Sequence, residues 1–225
     1  MPVSCPLSSR FVALGVLACV TFAPAMASVP FDAHVQVLPE EVRLPRWEAA
    51  LRGIQQDRVV MRTCLDDADQ CTPPRLAAWR QMMLAAARAP WHEKLEAVNT
   101  FVNQVPYVRD LDRFGVVDYW APPLQFFAGG GDCEDYAIAK YVSLRKLGLP
   151  AERLRIVVLE DVARGLAHAI LAVRLDGEVW VLDNYYDAIA RFSELTHYAP
   201  YYAVNEDQRW LHRLPGEPVP AGRTH

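Results

Sequence analysis

The sequence lacks a long apolar run, an excess of positive charge and any internal repeat. The apolar segment 11–22 is shorter than the roughly 20 residues that a membrane-spanning helix needs. The formal net charge of −4 gives no support for binding to nucleic acid or to an anionic membrane surface. No low-complexity tract occurs either. These absences argue against membrane-spanning, nucleic-acid-binding and repeat proteins. The content of 52% hydrophobic residues is that of an ordinary globular domain.

The amino-terminal segment has the pattern of a secretory signal. Arg10 supplies a short positive region, the apolar segment 11–22 follows, and Ala25-Met26-Ala27 fits the small-x-small rule for signal peptidase. We therefore expect residues 1–27 to be a cleaved signal peptide and residues 28–225 to form a single domain. The expected location of the mature protein is the periplasm.

Cysteine is scarce, and its distribution is informative. Cys5 and Cys19 lie in the predicted signal. Lipidation at Cys19 is an alternative to cleavage, although the apolar sequence continues past that residue. In an exported protein Cys64 and Cys71 can close a small loop as a disulfide. Cys133 is then unpaired, which indicates either a catalytic thiol or a buried inert one.

A glycine triplet precedes Cys133, at residues 129–131. The stretch Glu134–Leu147 contains no Gly or Pro, and Gly148 and Pro150 end it, so a helix is predicted there. The cysteine lies at its amino-terminal end, where free backbone N–H groups and the helix dipole favour a thiolate. The three glycines would also allow a peptide to approach the sulfur.

The order of predicted elements indicates an α+β fold with papain-like character, in which helices precede a nucleophile-bearing helix packed on an antiparallel sheet. A long functional loop is expected at Tyr107–Phe127. The other elements have clear periodicity. The predicted helices are Pro45–Gln56, Arg75–Arg88 and Trp91–Gln104, and the predicted strands are Leu154–Leu159, Ala169–Leu175 and Val179–Leu182.

The last two strands predict a catalytic pair. Asp176-Gly177 is a strong two-residue hairpin signal, and that turn places Asp183 opposite Ile170. His168 is two residues from Ile170 and so shares its face, which makes His168 and Asp183 diagonal neighbours. With Cys133 packed on the same face, a Cys–His–Asp triad would result. The alternatives are a structural histidine and an aspartate that belongs to a turn, and a one-residue register error would remove the pairing.

An oxyanion hole needs two donors near the sulfur. The backbone N–H of Cys133 is the first candidate. Trp120, through its indole N–H, and Gln125, through its side-chain amide, are candidates for the second.

Three carboxylates crowd the cysteine: Asp132, Glu134 and Asp135. They would repel a thiolate, and a bound divalent cation would reverse that effect. Oxygen ligands suit calcium rather than zinc, so a calcium site is predicted here. The alternative is a capped helix with surface acids. Further ligands could come from the preceding loop, where the candidates are Asp110, Asp112 and Asp118.

The string Gly131-Asp132-Cys133-Glu134-Asp135-Tyr136-Ala137 resembles the nucleophile motif of the bacterial transglutaminase-like cysteine proteinases of the LapG type. The resemblance extends roughly from Trp91 to Trp210. Its other matching segments are Asp118–Pro122, Ala167–Ala169, Val181–Asn184 and Tyr201–Asn205.

That resemblance implies a periplasmic endopeptidase with Cys133 as nucleophile, His168 as general base and acid, Asp183 as orienting residue, and a nearby calcium ion. It also implies cleavage of a large biofilm adhesin near its amino-terminal retention region, and sequestration by an inner-membrane cyclic-di-GMP receptor. Two other functions stay open. One is a transglutaminase-type acyltransferase with the same triad, and the other is a non-catalytic binding module on the same fold.

Overall fold

The computed structural model describes residues 30–31 and 35–212. The predicted signal peptide lies outside these residues. The helices are α1 Pro45–Asp66, α2 Pro74–Ala86, α3 Trp91–Asn103, α4 Asp110–Phe114, α5 Pro123–Gly129 and α6 Cys133–Lys146. The strands are β1 Val35–Val37, β2 Leu154–Asp161, β3 Leu166–Leu175, β4 Glu178–Leu182, β5 Ala190–Arg191, β6 Tyr198–Val204 and β7 Arg209–His212.

In the described part of the chain the strands form one antiparallel sheet in the order β1-β7-β6-β2-β3-β4-β5. The α+β prediction is confirmed. The sequence had indicated only the adjacent strands β2, β3 and β4, which are rich in apolar residues. Strand β6 was missed because Pro200 interrupts its run, and a register shift in its pairing with β2 falls next to that proline.

Helix α6 packs mainly against β3 and α3, and nearly all of its residues are buried. A helix buried on all sides shows little amphipathic periodicity, so its start and stop signals identified it rather than an apolar stripe. Its position at the centre of the core fixes Cys133, its first residue, next to the sheet.

Helix α1 is longer than predicted. Buried residues continue at helical spacing through Met61 and Cys64, two turns beyond the predicted end at Gln56. Cys64 forms the predicted disulfide with Cys71. The expectation of an unbroken loop at Tyr107–Phe127 was wrong, because α4 and α5 occupy parts of it.

The described residues include no helix that is both long and apolar enough to cross a membrane.

Candidate active site

Two glycines shape the start of α6. Gly130 has φ +84°, and a Cβ there would lie 2.3 Å from the carbonyl oxygen of Pro106. A Cβ on Gly131 would lie 2.1 Å from Oδ2 of Asp135. Both glycines are buried. They are required because the neighbouring backbone and Asp135 pack too closely to leave room for a side chain. The sequence had suggested a different reason, the approach of a peptide to the sulfur.

Cys133 is the first residue of α6 and is half-buried. Its thiol donates to Oε2 of Glu134 at 3.2 Å, and the backbone N–H of Ala169 lies near enough to the sulfur to favour its charged form. This N–H belongs to the peptide that follows His168. Burial, and then the charges of Glu134 and Asp132, raise the pKa of the Cys133 thiol well above its ordinary value.

The side chains of His168 and Asp183 meet in the buried interior of the site, with Nε2 2.9 Å from Oδ1. The observed register pairs Leu171 with Leu182 and Leu175 with Glu178, which is the register that the Asp176-Gly177 turn predicts. The other ring nitrogen, Nδ1 of His168, is buried and has no hydrogen-bond partner among the described residues. That nitrogen is therefore available to a thiol.

Two tyrosines that the sequence analysis did not single out complete the surroundings of Asp183. The backbone N–H of Tyr185 donates to Oδ1 at 2.9 Å, and the hydroxyl of Tyr198 donates to Oδ2 at 2.5 Å. Burial alone would raise the pKa of Asp183, but His168 and these donors hold it below its usual range. The carboxylate is thus kept ionised behind the imidazole.

The ring of Tyr185 also stacks on the imidazole of His168, with centroids 4.5 Å apart and planes inclined by 24°. Arg164 lies over the outer face of this region, 4.4 Å from the Tyr185 centroid, and pairs with Asp161 at 2.6 Å. These contacts limit rotation of the imidazole and shield one of its faces. Tyr185 follows Asp183 by two residues, so its proximity could have been expected from the sequence.

A cluster of carboxylates lies next to the cysteine. One candidate set contains Asp110, Asp118 and Glu134, and a second contains Asp110, Asp132 and Asp135; in each set the oxygens lie within 4.8 Å of one another. Oδ1 of Asp110 and Oδ1 of Asp132 are buried without a hydrogen-bond partner in the described residues. Unpartnered buried carboxylate oxygens are the donor set that a hard cation requires.

The electrostatics of this cluster are unfavourable without a counter-charge. Burial, and to a lesser extent the neighbouring carboxylates, raises the pKa of Asp110 to about 6 and that of Asp135 to about 8. Burial and Asp132 raise the pKa of Glu134 as well. Asp135 has a structural role too, since it accepts the backbone N–H of Ala121 at 2.6 Å and that of Asp132 at 3.3 Å.

Two residues considered from the sequence, Asp112 and Trp120, are engaged elsewhere. Asp112 is exposed and pairs with Arg109 at 2.7 Å, outside the carboxylate cluster. The indole N–H of Trp120 donates to Oδ1 of Asp118 at 3.1 Å. These contacts remove Asp112 from the candidate ligands and leave Trp120 without a free donor.

Gln125 is exposed, and its side-chain oxygen accepts the hydroxyl of Tyr119 at 3.0 Å. It lines a cavity of about 420 Å³ against α1, and Cys133 is not among the residues that line this cavity. The short helices α4 and α5 turn these side chains toward α1, which the prediction of a continuous loop could not anticipate. We therefore do not retain the Trp120 indole as an oxyanion donor, and the donor role of the Gln125 amide stays a prediction.

A family model described as bacterial transglutaminase-like cysteine proteinase BTLCP matches residues 55–213. This range includes α6, the hairpin of β3 and β4, and all the residues of the carboxylate cluster. No curated protein matches the sequence at a significant level.

Solved structures of Legionella pneumophila LapG resemble this chain. One is 29% identical with a TM-score of 0.59, and the match covers 70% of this chain and 88% of LapG. A calcium-bound LapG structure is 31% identical with a TM-score of 0.59, covering 73% of this chain and 91% of that one. An EGTA-treated LapG structure is 30% identical with a TM-score of 0.58, covering 68% and 84%.

Proposed function

The chain belongs to the bacterial transglutaminase-like cysteine proteinase family, and we propose that Cys133, His168 and Asp183 are its catalytic residues. The observation that carries the proposal is the arrangement of His168. One ring nitrogen contacts a buried carboxylate at 2.9 Å, and the other is buried and unpartnered among the described residues. The adjacent backbone N–H, of Ala169, lies near the sulfur of Cys133.

In the proposed reaction, Nδ1 of His168 takes the thiol proton of Cys133, and the sulfur attacks the carbonyl carbon of a peptide bond. The imidazolium then gives its proton to the leaving amine as the C–N bond breaks. Water, deprotonated by the same imidazole, hydrolyses the thioester and releases the acid. Asp183 stabilises the imidazolium and fixes its orientation. The backbone N–H of Cys133, at the start of α6, is the first oxyanion donor.

We also propose calcium as the cofactor, held by residues of the carboxylate cluster. Asp110, Asp118 and Glu134 would hold the ion, with Asp132 and Asp135 as further candidates. The unpartnered oxygens of Asp110 and Asp132 support this assignment, as does the existence of a calcium-bound LapG structure. A bound divalent cation would offset the carboxylate charges that raise the pKa of the Cys133 thiol.

For location and substrate, the proposal follows the sequence. Residues 1–27 would direct export to the periplasm, where the enzyme would cleave a large surface adhesin and so control biofilm attachment. An inner-membrane cyclic-di-GMP receptor would sequester it. The signal pattern supports the first part, and the family resemblance supports the other two.

The test is incubation of the purified mature protein with an adhesin fragment and a labelled primary amine. We expect cleavage of the fragment without incorporation of the amine, and no cleavage by Cys133→Ala. Amine incorporation without cleavage would indicate an acyltransferase. Cleavage by a folded Cys133→Ala protein would refute the nucleophile, and absence of both reactions would favour a binding module.

A further inference from the structure

Trp120 donates a hydrogen bond to a carboxylate of the proposed calcium site. The residue lies between α4 and α5 and is 7% exposed. Its indole N–H donates to Oδ1 of Asp118 at 3.1 Å. The other oxygen of this carboxylate, Oδ2, lies 3.0 Å from Nε of Arg46, whose side chain is 61% exposed. The carboxylate is therefore held from the protein interior by the indole and from the solvent side by a guanidinium.

Trp120 is the middle one of three successive residues that each donate to a different acid of the carboxylate cluster. The backbone N–H of Tyr119 donates to Oδ2 of Asp110. The backbone N–H of Ala121 donates to Oδ1 of Asp135 at 2.6 Å. Oδ1 of Asp110 is the buried oxygen without a hydrogen-bond partner in the described part of the chain. Segment 119–121 thus holds one oxygen of Asp110 and leaves the other for a cation, which is how hydrogen-bond partners orient the ligands of a metal.

The ring of Trp120 is itself fixed by the core of the protein. It packs edge-on against Trp47 of α1, with ring centroids 6.0 Å apart and planes inclined by 61°. Trp47 is 2% exposed, and its indole N–H donates to the carbonyl oxygen of Asn205 at 3.0 Å. The ring of Trp47 packs in turn against Tyr141 of α6, with centroids 6.2 Å apart. Because its ring is held in this way, the Trp120 indole points its N–H in a fixed direction.

A fixed donor matters because Asp118 is poorly held otherwise. Its side chain is 38% exposed, and without the indole only an exposed guanidinium would hold it. A ligand that must first be ordered costs conformational entropy when it binds an ion, and a donor that orders it beforehand removes that cost. Arg46 is less suited to this role, because its positive charge repels a cation on the same carboxylate. The indole is uncharged and has only an N–H donor, so it can orient the carboxylate but cannot ligate the ion.

We propose that Trp120 is a positioning residue of the calcium site, which holds the carboxylate of Asp118 in the orientation that a bound ion requires. Trp120 acts through Asp118 and is not itself a ligand. The inference rests on the proposed calcium site. It explains why a buried indole hydrogen bond is directed at a partly exposed acid.

The test compares the calcium affinity of Trp120→Phe with that of the wild type and of Trp79→Phe, by titration calorimetry with calcium alone. Trp79 is the matched control, because it is a buried tryptophan whose indole donates to Oγ of Ser143 at 2.9 Å, outside the carboxylate cluster. We expect Kd to rise at least about tenfold in Trp120→Phe and to stay within about twofold of the wild type in Trp79→Phe.

A second comparison separates positioning of Asp118 from a general loosening of the core. In an Asp118→Ala background, adding Trp120→Phe should change Kd by no more than about twofold, because the carboxylate through which Trp120 acts is gone. A loss of affinity as large as in the wild-type background would show that Trp120 acts on the fold as a whole, and would overturn the inference.

A Trp120→Phe protein that folds, as judged by circular dichroism, and binds calcium with the wild-type Kd would also overturn it. If the wild type itself binds no calcium, the proposed cofactor fails instead. Should Trp120→Phe not fold, a calcium titration of the ¹⁵N-labelled wild type decides. The indole N–H resonance of Trp120 should then shift while that of Trp79 stays in place, and an unmoved Trp120 resonance would refute the positioning role.

Discussion

The hydroxyl of Tyr198 lies 2.5 Å from Oδ2 of Asp183, on the side of the carboxylate opposite His168, whose Nε2 lies 2.9 Å from Oδ1. Both tyrosine and histidine are buried. The two contacts come from different strands, β6 and β3, so the carboxylate is fixed between two elements that are distant in sequence. This arrangement holds the acid in one orientation whether or not the imidazole carries its proton.

Tyr198→Phe removes this hydroxyl and leaves the packing of the ring nearly unchanged. We expect the free energy of unfolding to fall by about 1.5–3 kcal/mol, because a buried hydrogen bond to a charged group is lost. Urea unfolding at neutral pH measures the change. A stability equal to that of the wild type would show that this hydrogen bond makes no net contribution.

We also expect Tyr198→Phe to change how the free energy of unfolding depends on pH. The pKa of Asp183 is held below its usual range in the folded protein, so its contribution to stability is present above the unfolded-state pKa and is lost as the pH falls through the folded-state pKa. Tyr198→Phe should raise that folded-state pKa, and the loss of stability should begin at a higher pH. Urea midpoints measured from about pH 6 to pH 3 test this, and parallel pH profiles for the two proteins would contradict it.

Short-range signals predicted the part of the site that lies on neighbouring elements. The Asp176-Gly177 turn fixes the pairing of β3 with β4, and alternation along a strand then puts His168 and Asp183 on one face. The glycines and the proline that flank α6 in the sequence likewise predict that this helix begins at or beside Cys133. These features depend on residues close together in the chain.

Contacts between distant elements could not be predicted in the same way. Tyr198 reaches Asp183 because β6 pairs with β2, and nothing in either segment alone specifies that pairing. The choice of Asp110 and Asp118 over Asp112 depends on where the short helix α4 begins. Arg109 is exposed and lies three residues before Asp112, and its ion pair with Asp112 holds the Asp112 carboxylate outside the cluster.

The disulfide between Cys64 and Cys71 should stabilise the fold without affecting the chemistry. It joins the end of α1 to the turn before α2, with a sequence separation of 7. Closing so short a loop is worth about 2–3 kcal/mol in the chain-entropy description. The double variant Cys64→Ala with Cys71→Ala should lose that much stability in urea unfolding, and its kcat/KM should stay within about twofold of wild type. A large loss of activity in the folded variant would connect the disulfide to the active site.

Calcium should stabilise the protein by binding to the carboxylate cluster. At a concentration of about 100 times Kd, we expect the free energy of unfolding to rise by about 2.7 kcal/mol, and EGTA should reverse the effect. Asp110→Asn should weaken the response measured by thermal unfolding and by titration calorimetry.

Asp112→Asn is the matched control, because it removes a carboxylate from the same helix but outside the cluster. Its calcium response should equal that of the wild type. Equal responses from Asp110→Asn and the wild type, or no response from the wild type, would argue against the assigned site.

The most direct test of the central claim is the rate at which iodoacetamide alkylates Cys133 in the wild type and in His168→Gln. Cys133 is the free cysteine of the described residues, and mass spectrometry can locate the modification. If the imidazole activates the sulfur, the rate near neutral pH should fall at least about tenfold in His168→Gln, because the thiolate is the reactive form. Equal alkylation rates in the two proteins would contradict the account.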